Sequence, residues 1–387
     1  MLLLRNADIY TPSPTGRADV LVAGGRIVRI EPGISIPQTY CDVVEGTGFI
    51  AVPGFIDGHV HLMGGGGEGG YATRTPELLL SDAIRGGVTA VVGCLGTDGV
   101  TRSPAALLAK ARGLEEEGLS TFIYTGHYAV PVQTLTGSIE RDLLLIDKVI
   151  GVGEVALSDH RSTQPTFDEF ARIGAEARRG GILSGKAGVV NVHMGDGRRG
   201  LSLLRRIIED TEIPATQFVP THINRNPTLF EEGIAWAKAG GFVDFTTSTV
   251  PAFLEDGEVK SSLGLRRMLE AGVDIAQISF TSDGQGSLPA FDAQGRLQRL
   301  EVGRVTSLLS EVRDAVLVEG LALETALKVI TSNPARMLKL RGKGQLAAGA
   351  DADLVLLEPE TLDIHGVMAK GRWLMRDGEL LARGTFE

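Results

Sequence analysis

Eight short apolar runs, each ending in polar residues and followed by a helical pattern, constrain this chain more than any other feature of its sequence. Amphipathic segments such as 166–180 and 227–239 lie between the runs, and Pro227 opens the second of these segments. Repeated strand–helix units predict a parallel sheet, and eight of them predict a (β/α)₈ TIM-like barrel. The runs are 54–62, 88–96, 120–128, 149–157, 189–195, 216–224, 242–249 and 275–284.

The two ends of the chain have a different pattern. Segments 18–22 and 26–30 are strand-like and flank two glycines, which predicts a hairpin. Segments 353–357 and 366–375 are also strand-like. We therefore expect both termini to pair into a small β-sandwich domain, made of 1–52 and 345–387, beside a barrel domain of 53–344.

Composition narrows the class of protein. The formal net charge of −10 argues against nucleic acid or an anionic membrane surface as the main partner. Cys41 and Cys94 are the only cysteines among 387 residues, which is typical of a reducing compartment. The apolar run at the N-terminus is too short for a signal peptide, and no stretch approaches the ~18 apolar residues of a membrane span. We expect a cytoplasmic protein.

Histidines and one aspartate fall at the ends of the predicted barrel strands, where barrel enzymes have their active sites. His59 and His61 close the first run, and residues two apart on a strand point the same way, so both imidazoles can reach one metal ion. His193, His222 and Asp283 end the fifth, sixth and eighth runs. Nitrogen and carboxylate donors favour zinc, with iron, manganese and cobalt as alternatives.

Each of these residues alone is as well explained as a polar cap on the following helix. Together they account for four of the seven histidines at one predicted barrel mouth, which favours a metal centre. The other three histidines have weaker claims, and His365, in the terminal β-domain, is expected to be structural. They are His127, His160 and His365.

This pattern resembles the amidohydrolase superfamily and, within it, the isoaspartyl dipeptidase family. The matching motifs are 53–61, the glycine run 64–67 with Glu68, 158–162, 193–196, 221–226, 282–287 and 384–387. The H-x-H pair is shared by the whole superfamily, whereas the glycine run with its glutamate and the two arginine motifs are specific to the family. The resemblance extends over essentially the whole chain.

The resemblance implies two divalent metal ions. This sequence also differs from the family's usual pattern at one metal ligand. The family's fourth strand usually supplies a carboxylated lysine that bridges the metals, but the fourth run here contains no lysine. Counting back from the motif 158–162, Glu154 occupies the lysine's place, and its carboxylate offers the same two oxygens. An extra residue near Gly153 is expected to form a bulge that brings the shorter side chain to the metals. The ordinary alternative is a salt-bridged barrel glutamate.

The resemblance also implies how a dipeptide would be held. Glu68 would bind the substrate ammonium, and Arg161 and Arg225 would bind carboxylates, for which the guanidinium fork is suited. Tyr128, expected at the end of the third strand, would donate to the developing oxyanion. Ser287 would hydrogen-bond a substrate carboxylate, and Thr97 would add a backbone contact. A flexible surface loop and surface ion pairs are the ordinary alternatives.

These expectations define one function and two rivals. The favoured function is hydrolysis of the β-aspartyl bond in dipeptides by two metal ions, most simply Zn²⁺, with Asp283 carrying the proton from water to the leaving amine. The resemblance further implies a large homo-oligomer, such as an octamer. A cyclic-amide hydrolase or deaminase would keep the metal ligands without needing Glu68, Arg161 and Arg225 together. A non-catalytic assembly protein on the same fold would lose metal ligands.

Overall fold

The structure is a computed structural model that describes residues 1–292, 294 and 296–387. The chain begins with a group of strands. As expected, Gly24 and Gly25 join two of them in an antiparallel hairpin, and both glycines have positive φ (58° and 77°), which this tight turn requires. The strands are β1 (Leu2–Tyr10), β2 (Pro14–Ala23), β3 (Arg26–Glu31), β4 (Asp42–Glu45) and β5 (Ile50–Pro53).

Among the described residues, eight parallel strands then form a TIM-barrel-like ring. The first six make one continuous sheet in chain order, and the last two pair with each other. All are buried along their length except at Phe122, which is partly buried, as expected for parallel strands covered by helices. They are β6 (Phe55–Val60), β7 (Val88–Gly93), β8 (Ser120–Thr125), β9 (Val149–Leu157), β10 (Val189–Met194), β11 (Phe218–Thr221), β12 (Val243–Thr246) and β13 (Ile278–Thr281).

Two links close the ring. The Ile223 amide donates to the carbonyl of Asp244 at 3.2 Å, which joins β11 to β12. The His61 amide donates to Gly284 at 2.9 Å, and Val60 forms a parallel bridge with the same glycine, which joins β6 to the end of β13. Every predicted apolar run therefore contains a strand. Most strands end a few residues before their run does, so the final residues of those runs leave the sheet and line the mouth.

Helices follow the barrel strands as the alternation predicts. The two amphipathic segments correspond to α4 and α6; Thr166 and Glu169 form a capping box at the first, and Pro227 begins the second. The helices are α1 (Leu80–Arg85), α2 (Pro104–Glu117), α3 (Ile139–Leu145), α4 (Phe167–Ser184), α5 (Ser202–Asp210), α6 (Pro227–Lys238), α7 (Pro251–Glu255) and α8 (Ser261–Glu270). No helix of the described residues is both long enough and apolar enough to cross a membrane.

A hairpin that the sequence pattern did not predict follows the eighth barrel strand. It consists of β14 (Ser287–Phe291) and β15 (Leu297–Val302), which pair antiparallel. Three helices then complete the barrel: α9 (Ser307–Leu317), α10 (Leu323–Lys328) and α11 (Ser332–Met337). The hairpin matters for function because its first strand lines the cavity at the barrel mouth.

The two termini meet in one nine-stranded sheet among the described residues. Antiparallel pairing of β5 with the first C-terminal strand joins them, with Ile50 opposite Leu357 and Pro53 opposite Leu354. The predicted strand 366–375 is instead two strands separated by a turn at Lys370 and Gly371. The C-terminal strands are β16 (Leu354–Leu357), β17 (Ile364–Ala369), β18 (Arg372–Arg376) and β19 (Glu379–Leu380).

Candidate metal centre and substrate cavity

Six donor side chains from five strand ends meet inside the barrel mouth. Two of them, His222 and Asp283, have left-handed backbones, with φ of 62° and 52°. Such conformations are uncommon outside glycine and concentrate at functional sites, where they aim a side chain. We call this set the donor cluster; all its members are buried. It comprises His59, His61, Glu154, His193, His222 and Asp283.

Glu154 lies at the centre of the donor cluster. Its Oε1 is 3.2 Å from Nε2 of His61, and its Oε2 is 3.4 Å from Nε2 of His59. The same Oε2 is 3.1 Å from Nδ1 of His193 and 3.7 Å from Nε2 of His222. One carboxylate therefore contacts both pairs of histidines, which is the arrangement that a bridging ligand needs.

A bulge in β9 carries Glu154 into this position. Val190 pairs with Val152 and Val192 pairs with Val155, so β9 has one residue more than β10 between the two pairs. The bulge expected near Gly153 is thus confirmed. A side chain at Gly153 would not fit, because its Cβ would lie 2.8 Å from the carbonyl oxygen of Asn191.

Several buried atoms of the donor cluster lack hydrogen-bond partners within the described protein. They are both ring nitrogens of His59, Nδ1 of His61, Nε2 of His222 and Oδ1 of Asp283. Buried polar atoms are nearly always paired, so this many orphans at one place indicate a missing partner. The donor atoms also form two groups that share Glu154, each within 4.8 Å: one with His59, His61 and Cys94, the other with His193 and His222. The donors fit divalent metal ions.

The charges of the donor cluster are set by burial and by neighbouring side chains. Burial alone would raise the pKa of Glu154, but the positive charge of His59 and the hydrogen bond with His193 hold that pKa well below its usual range. Burial would also raise the pKa of Asp283, but the hydrogen bond and the charge of His61 lower that pKa below its usual value. Burial and the nearby His193 lower the pKa of His222 to about 3, which keeps its imidazole neutral and able to bind a metal.

Two residues outside the sequence prediction orient the histidine ligands. Asp159 accepts from Nε and Nη2 of Arg161, at 3.0 and 2.7 Å, and lies 3.0 Å from Nε2 of His193. Nδ1 of His193 is thus left to face Glu154. Thr246 Oγ1 lies 2.5 Å from Nδ1 of His222, which leaves Nε2 for the cluster. Such partners fix tautomer and ring orientation. Asp159 belongs to the motif 158–162 and Thr246 to the seventh apolar run, but the sequence analysis gave neither residue a role at the site.

A cavity of about 610 Å³ opens over the donor cluster, within the usual range for small-molecule sites. The structure brings all six predicted substrate-binding residues to its wall, together with His160, whereas His127 is not among its lining residues. The third strand ends at Thr125 rather than at Tyr128, so Tyr128 reaches the cavity from the loop beyond it. The six residues are Glu68, Thr97, Tyr128, Arg161, Arg225 and Ser287.

Glu68 lines this cavity and has one carboxylate oxygen without a hydrogen-bond partner among the described residues. Its Oε1 accepts from Ser287 Oγ at 3.0 Å, Arg161 Nη1 at 3.3 Å and Thr97 Oγ1 at 3.4 Å. Its Oε2 is buried without a partner among the described residues. The loop approaches Thr75 so closely that only glycine fits at Gly64, where a Cβ would lie 2.2 Å from the Thr75 carbonyl oxygen. The free oxygen is suited to a cationic group of a ligand.

Tyr128 lies beside the donor cluster as a hydrogen-bond donor. Its hydroxyl oxygen is 2.8 Å from Nδ1 of His193, and its ring is tilted against that imidazole at 4.5 Å. Burial raises the pKa of Tyr128 well above its usual value, so the hydroxyl keeps its proton. His365 lies elsewhere, as expected, stacked on Phe49 in the terminal sheet at 3.9 Å.

Comparisons with known proteins agree with this geometry. Residues 229–374 match the model of the amidohydrolase family. A β-aspartyl dipeptidase from Fervidobacterium islandicum AW-1, solved in complex with β-Asp-Leu dipeptide, is 47% identical, covers 98% of each chain and has a TM-score of 0.92. A dihydroorotase from Leifsonia xyli subsp. xyli is 26% identical, covering 89% of this chain and 84% of its own. A dihydropyrimidinase from Brevibacillus agri NCHU1002 shares the fold, at 16% identity, 99% and 96% coverage and a TM-score of 0.68.

Proposed function

The chain belongs to the β-aspartyl dipeptidases of the amidohydrolase family, and we propose that it hydrolyses the β-aspartyl peptide bond of dipeptides to aspartate and an amino acid. The observation that carries this proposal is one cavity that joins the donor cluster to Glu68, Arg161 and Arg225. A β-aspartyl dipeptide has one ammonium and two carboxylates, which one carboxylate and two guanidinium groups complement.

The residues of the donor cluster would hold two divalent ions, with Glu154 between His59 and His61 on one side and His193 and His222 on the other. When bound, such ions supply Lewis acidity, which makes water nucleophilic near neutral pH and polarises a carbonyl. Nitrogen and carboxylate donors support zinc as the native ion.

Asp283 and Tyr128 are proposed to carry the proton chemistry. The lowered pKa of Asp283 leaves its carboxylate ionised, so it can take a proton from the attacking water and pass it to the leaving amine. The buried Tyr128 hydroxyl donates to the oxygen of the scissile carbonyl as negative charge develops there. Water adds to the carbonyl carbon, the C–N bond breaks, and the amine leaves with the transferred proton.

The substrate ends are held on the other wall of the cavity. The free Oε2 of Glu68 would accept hydrogen bonds from the α-ammonium, and Arg161 and Arg225 would pair with carboxylates. Ser287 and Thr97 hold Glu68 in place from the side of Oε1. Ser287 would also hydrogen-bond a substrate carboxylate, and Thr97 would add a backbone contact.

Three further features of the chain concern its domains, its location and its assembly. We propose a small β-sandwich domain of 1–52 and 345–387 and a barrel domain of 53–344, supported by the pairing of both termini in one sheet. Two free buried cysteines support a cytoplasmic location. Exposed apolar side chains on α3 and α4, Leu145, Ile182 and Leu183, support a homo-oligomer, of which an octamer is the family's implied form.

Cleavage of β-Asp-Leu and α-Asp-Leu by purified protein, with bound metal quantified alongside, tests the proposal. The α linkage moves the scissile carbonyl by one methylene relative to the groups held by Glu68 and the arginines. Misplacement on that scale costs about 100-fold in rate, so the β-linked peptide should be strongly preferred. Equal rates on both linkages would contradict the proposal.

A cyclic-amide hydrolase is the second candidate, because a dihydroorotase aligns with most of the chain. Dihydroorotate and a hydantoin therefore belong in the same assay. Glu68→Gln separates the two functions, since it should weaken turnover of a peptide with a free amine and leave cyclic-amide turnover unchanged. Hydrolysis of a cyclic amide with no cleavage of β-Asp-Leu would replace the proposal with this rival.

A further inference from the structure

Cys94 lies among the metal donors although neither the barrel pattern nor the motifs single it out. It directly follows β7, is fully buried, and its Sγ falls in the same donor group as His59, His61 and Glu154, all within 4.8 Å. The one hydrogen bond of its thiol within the described structure is weak, to the carbonyl oxygen of Val60 at 3.6 Å.

The surroundings of Cys94 call for a ligand independently of the cysteine. Both ring nitrogens of His59 and Nδ1 of His61 are buried without hydrogen-bond partners in the described protein. Cys94 packs in an apolar cluster with Val92 and Tyr124, yet its sulfur also lies within 4.8 Å of donor atoms of His59 and His61. A sulfur of this kind is a good ligand once deprotonated, and a nearby dication favours the thiolate.

We propose that Cys94 is a thiolate ligand of the ion held by His59 and His61. The inference rests on the metal centre of the proposed function and adds a sulfur donor to it. When the ion binds, the S–H bond of Cys94 breaks, the proton passes to the solvent, and the sulfur lone pair forms the bond to the ion.

The added donor makes the two halves of the centre unequal. Even without Asp283, the half with His59, His61, Cys94 and Glu154 has four protein donors, the number that zinc takes in closed structural sites. The half with Glu154, His193 and His222 has three, which is typical of catalytic sites that keep one position open. The first ion is therefore retained more tightly, and the second half is where water and substrate arrive.

The sulfur donor also sets a preference among metals. Thiolate ligands favour zinc and other soft or borderline ions, whereas manganese and magnesium prefer oxygen. Replacing Cys94 should weaken zinc binding by a factor of about ten or more, since even indirect partners of metal ligands contribute 10- to 100-fold. Manganese binding should change much less.

The chain supplies a matched control in its other cysteine. Cys41 is also buried and free, but it packs with Leu3, Leu21 and Ile34 in the terminal sheet. Cys41→Ser therefore reports the effect of losing a buried thiol without touching the donor cluster.

Cobalt substitution and X-ray absorption test the proposal without relying on activity. Cobalt-loaded wild type and Cys41→Ser should show a sulfur-to-cobalt charge-transfer band in the near ultraviolet, and Cys94→Ser should lose it. Zinc-loaded wild type should show one sulfur neighbour at about 2.3 Å beside nitrogen and oxygen neighbours at about 2.0–2.1 Å. The zinc measurement needs no variant, so it decides the question even if Cys94→Ser does not fold.

A wild-type zinc spectrum without sulfur, or a charge-transfer band that persists in Cys94→Ser, overturns the assignment. The dipeptide assay tests the proposed function independently of the sulfur ligand. If the protein cleaves β-Asp-Leu but its metal has no sulfur ligand, Cys94 is not a ligand and the proposed function stands. If the metal has a sulfur ligand but the protein does not cleave β-Asp-Leu, the ligand assignment stands and the proposed function fails.

Discussion

Glu154→Gln tests the centre of the metal site most directly, because glutamine keeps the shape of the side chain and removes its charge. The Glu154 carboxylate is 1% exposed and lies within 3.7 Å of nitrogens of His59, His61, His193 and His222. Removing one charged partner from a buried network of this kind costs about 3–5 kcal/mol. Since about 1.4 kcal/mol corresponds to tenfold, affinity for the divalent ions should fall by about 10²- to 4 × 10³-fold.

Competition with a chromophoric chelator and elemental analysis after dialysis would measure this loss. Glu311→Gln is the matched control, because Glu311 is a buried glutamate that bonds the Ser262 amide and does not line the cavity. Activity on β-Asp-Leu should fall with metal content in Glu154→Gln and stay unchanged in Glu311→Gln.

The same experiment separates a permanent carboxylate from a carboxylated lysine. A carboxylated lysine forms only by capturing carbon dioxide, whereas a glutamate always carries its carboxylate. Reloading metal-free wild type in carbon dioxide-depleted buffer should therefore restore activity as fully as reloading with bicarbonate. Consistent with this, no lysine is among the described residues that line the cavity. Unchanged metal affinity in Glu154→Gln, or a requirement for bicarbonate, would refute the role of Glu154.

Further predictions concern the hydroxyl donor, one helix cap and one loop carboxylate. Tyr128→Phe should lower kcat by about 10²- to 10³-fold without reducing bound metal, and a parallel loss of metal would contradict its role as an oxyanion donor. Thr166→Ala removes the side-chain half of the capping box of α4 and should lower the free energy of unfolding by about 1 kcal/mol, measured in guanidinium, whereas Thr166→Ser should retain most of it. Although partial burial opposes it, hydrogen bonds from Thr101, the Val100 amide and Arg74 lower the pKa of Asp98 to about 2. A lowered folded-state pKa stabilises the fold above the unfolded value near pH 3.8 and loses that effect as the pH falls towards 2. Asp98→Asn should thus cost about 1 kcal/mol at pH 6, a figure discounted for solvent screening, and nearly nothing at pH 2; a cost independent of pH would be inconsistent with this assignment.

The barrel was predictable because its pattern is local. Each apolar run with its following amphipathic segment records burial that is imposed on neighbouring residues, so the alternation survives in the sequence. The hairpin β14–β15 was missed for the same reason. Its strands are only partly buried and include Pro289, so they lack the strong apolar pattern of the barrel strands. The break at Lys370 and Gly371 was also missed, since a two-residue turn leaves the apolar pattern almost continuous.

The sequence by itself determined which side chains stand at the barrel mouth. Strand periodicity and the polar ends of the runs place His59, His61, His193, His222 and Asp283 there, because parallel strands present their carboxyl ends at one face. These inferences need only the order and direction of strands, and both can be read from the chain.

Only the tertiary structure decided which atoms meet. The depth of each residue inside the ring depends on strand tilt, stagger and the bulge in β9, which arise from closure of the whole barrel. That closure brings Cys94 beside His59, sets Asp159 against His193, and leaves one buried oxygen of Glu68 without a partner among the described residues. A difference of a few ångströms decides whether a side chain can bind a metal ion or only packs beside the site. That distance is set by the assembled ring rather than by any one strand.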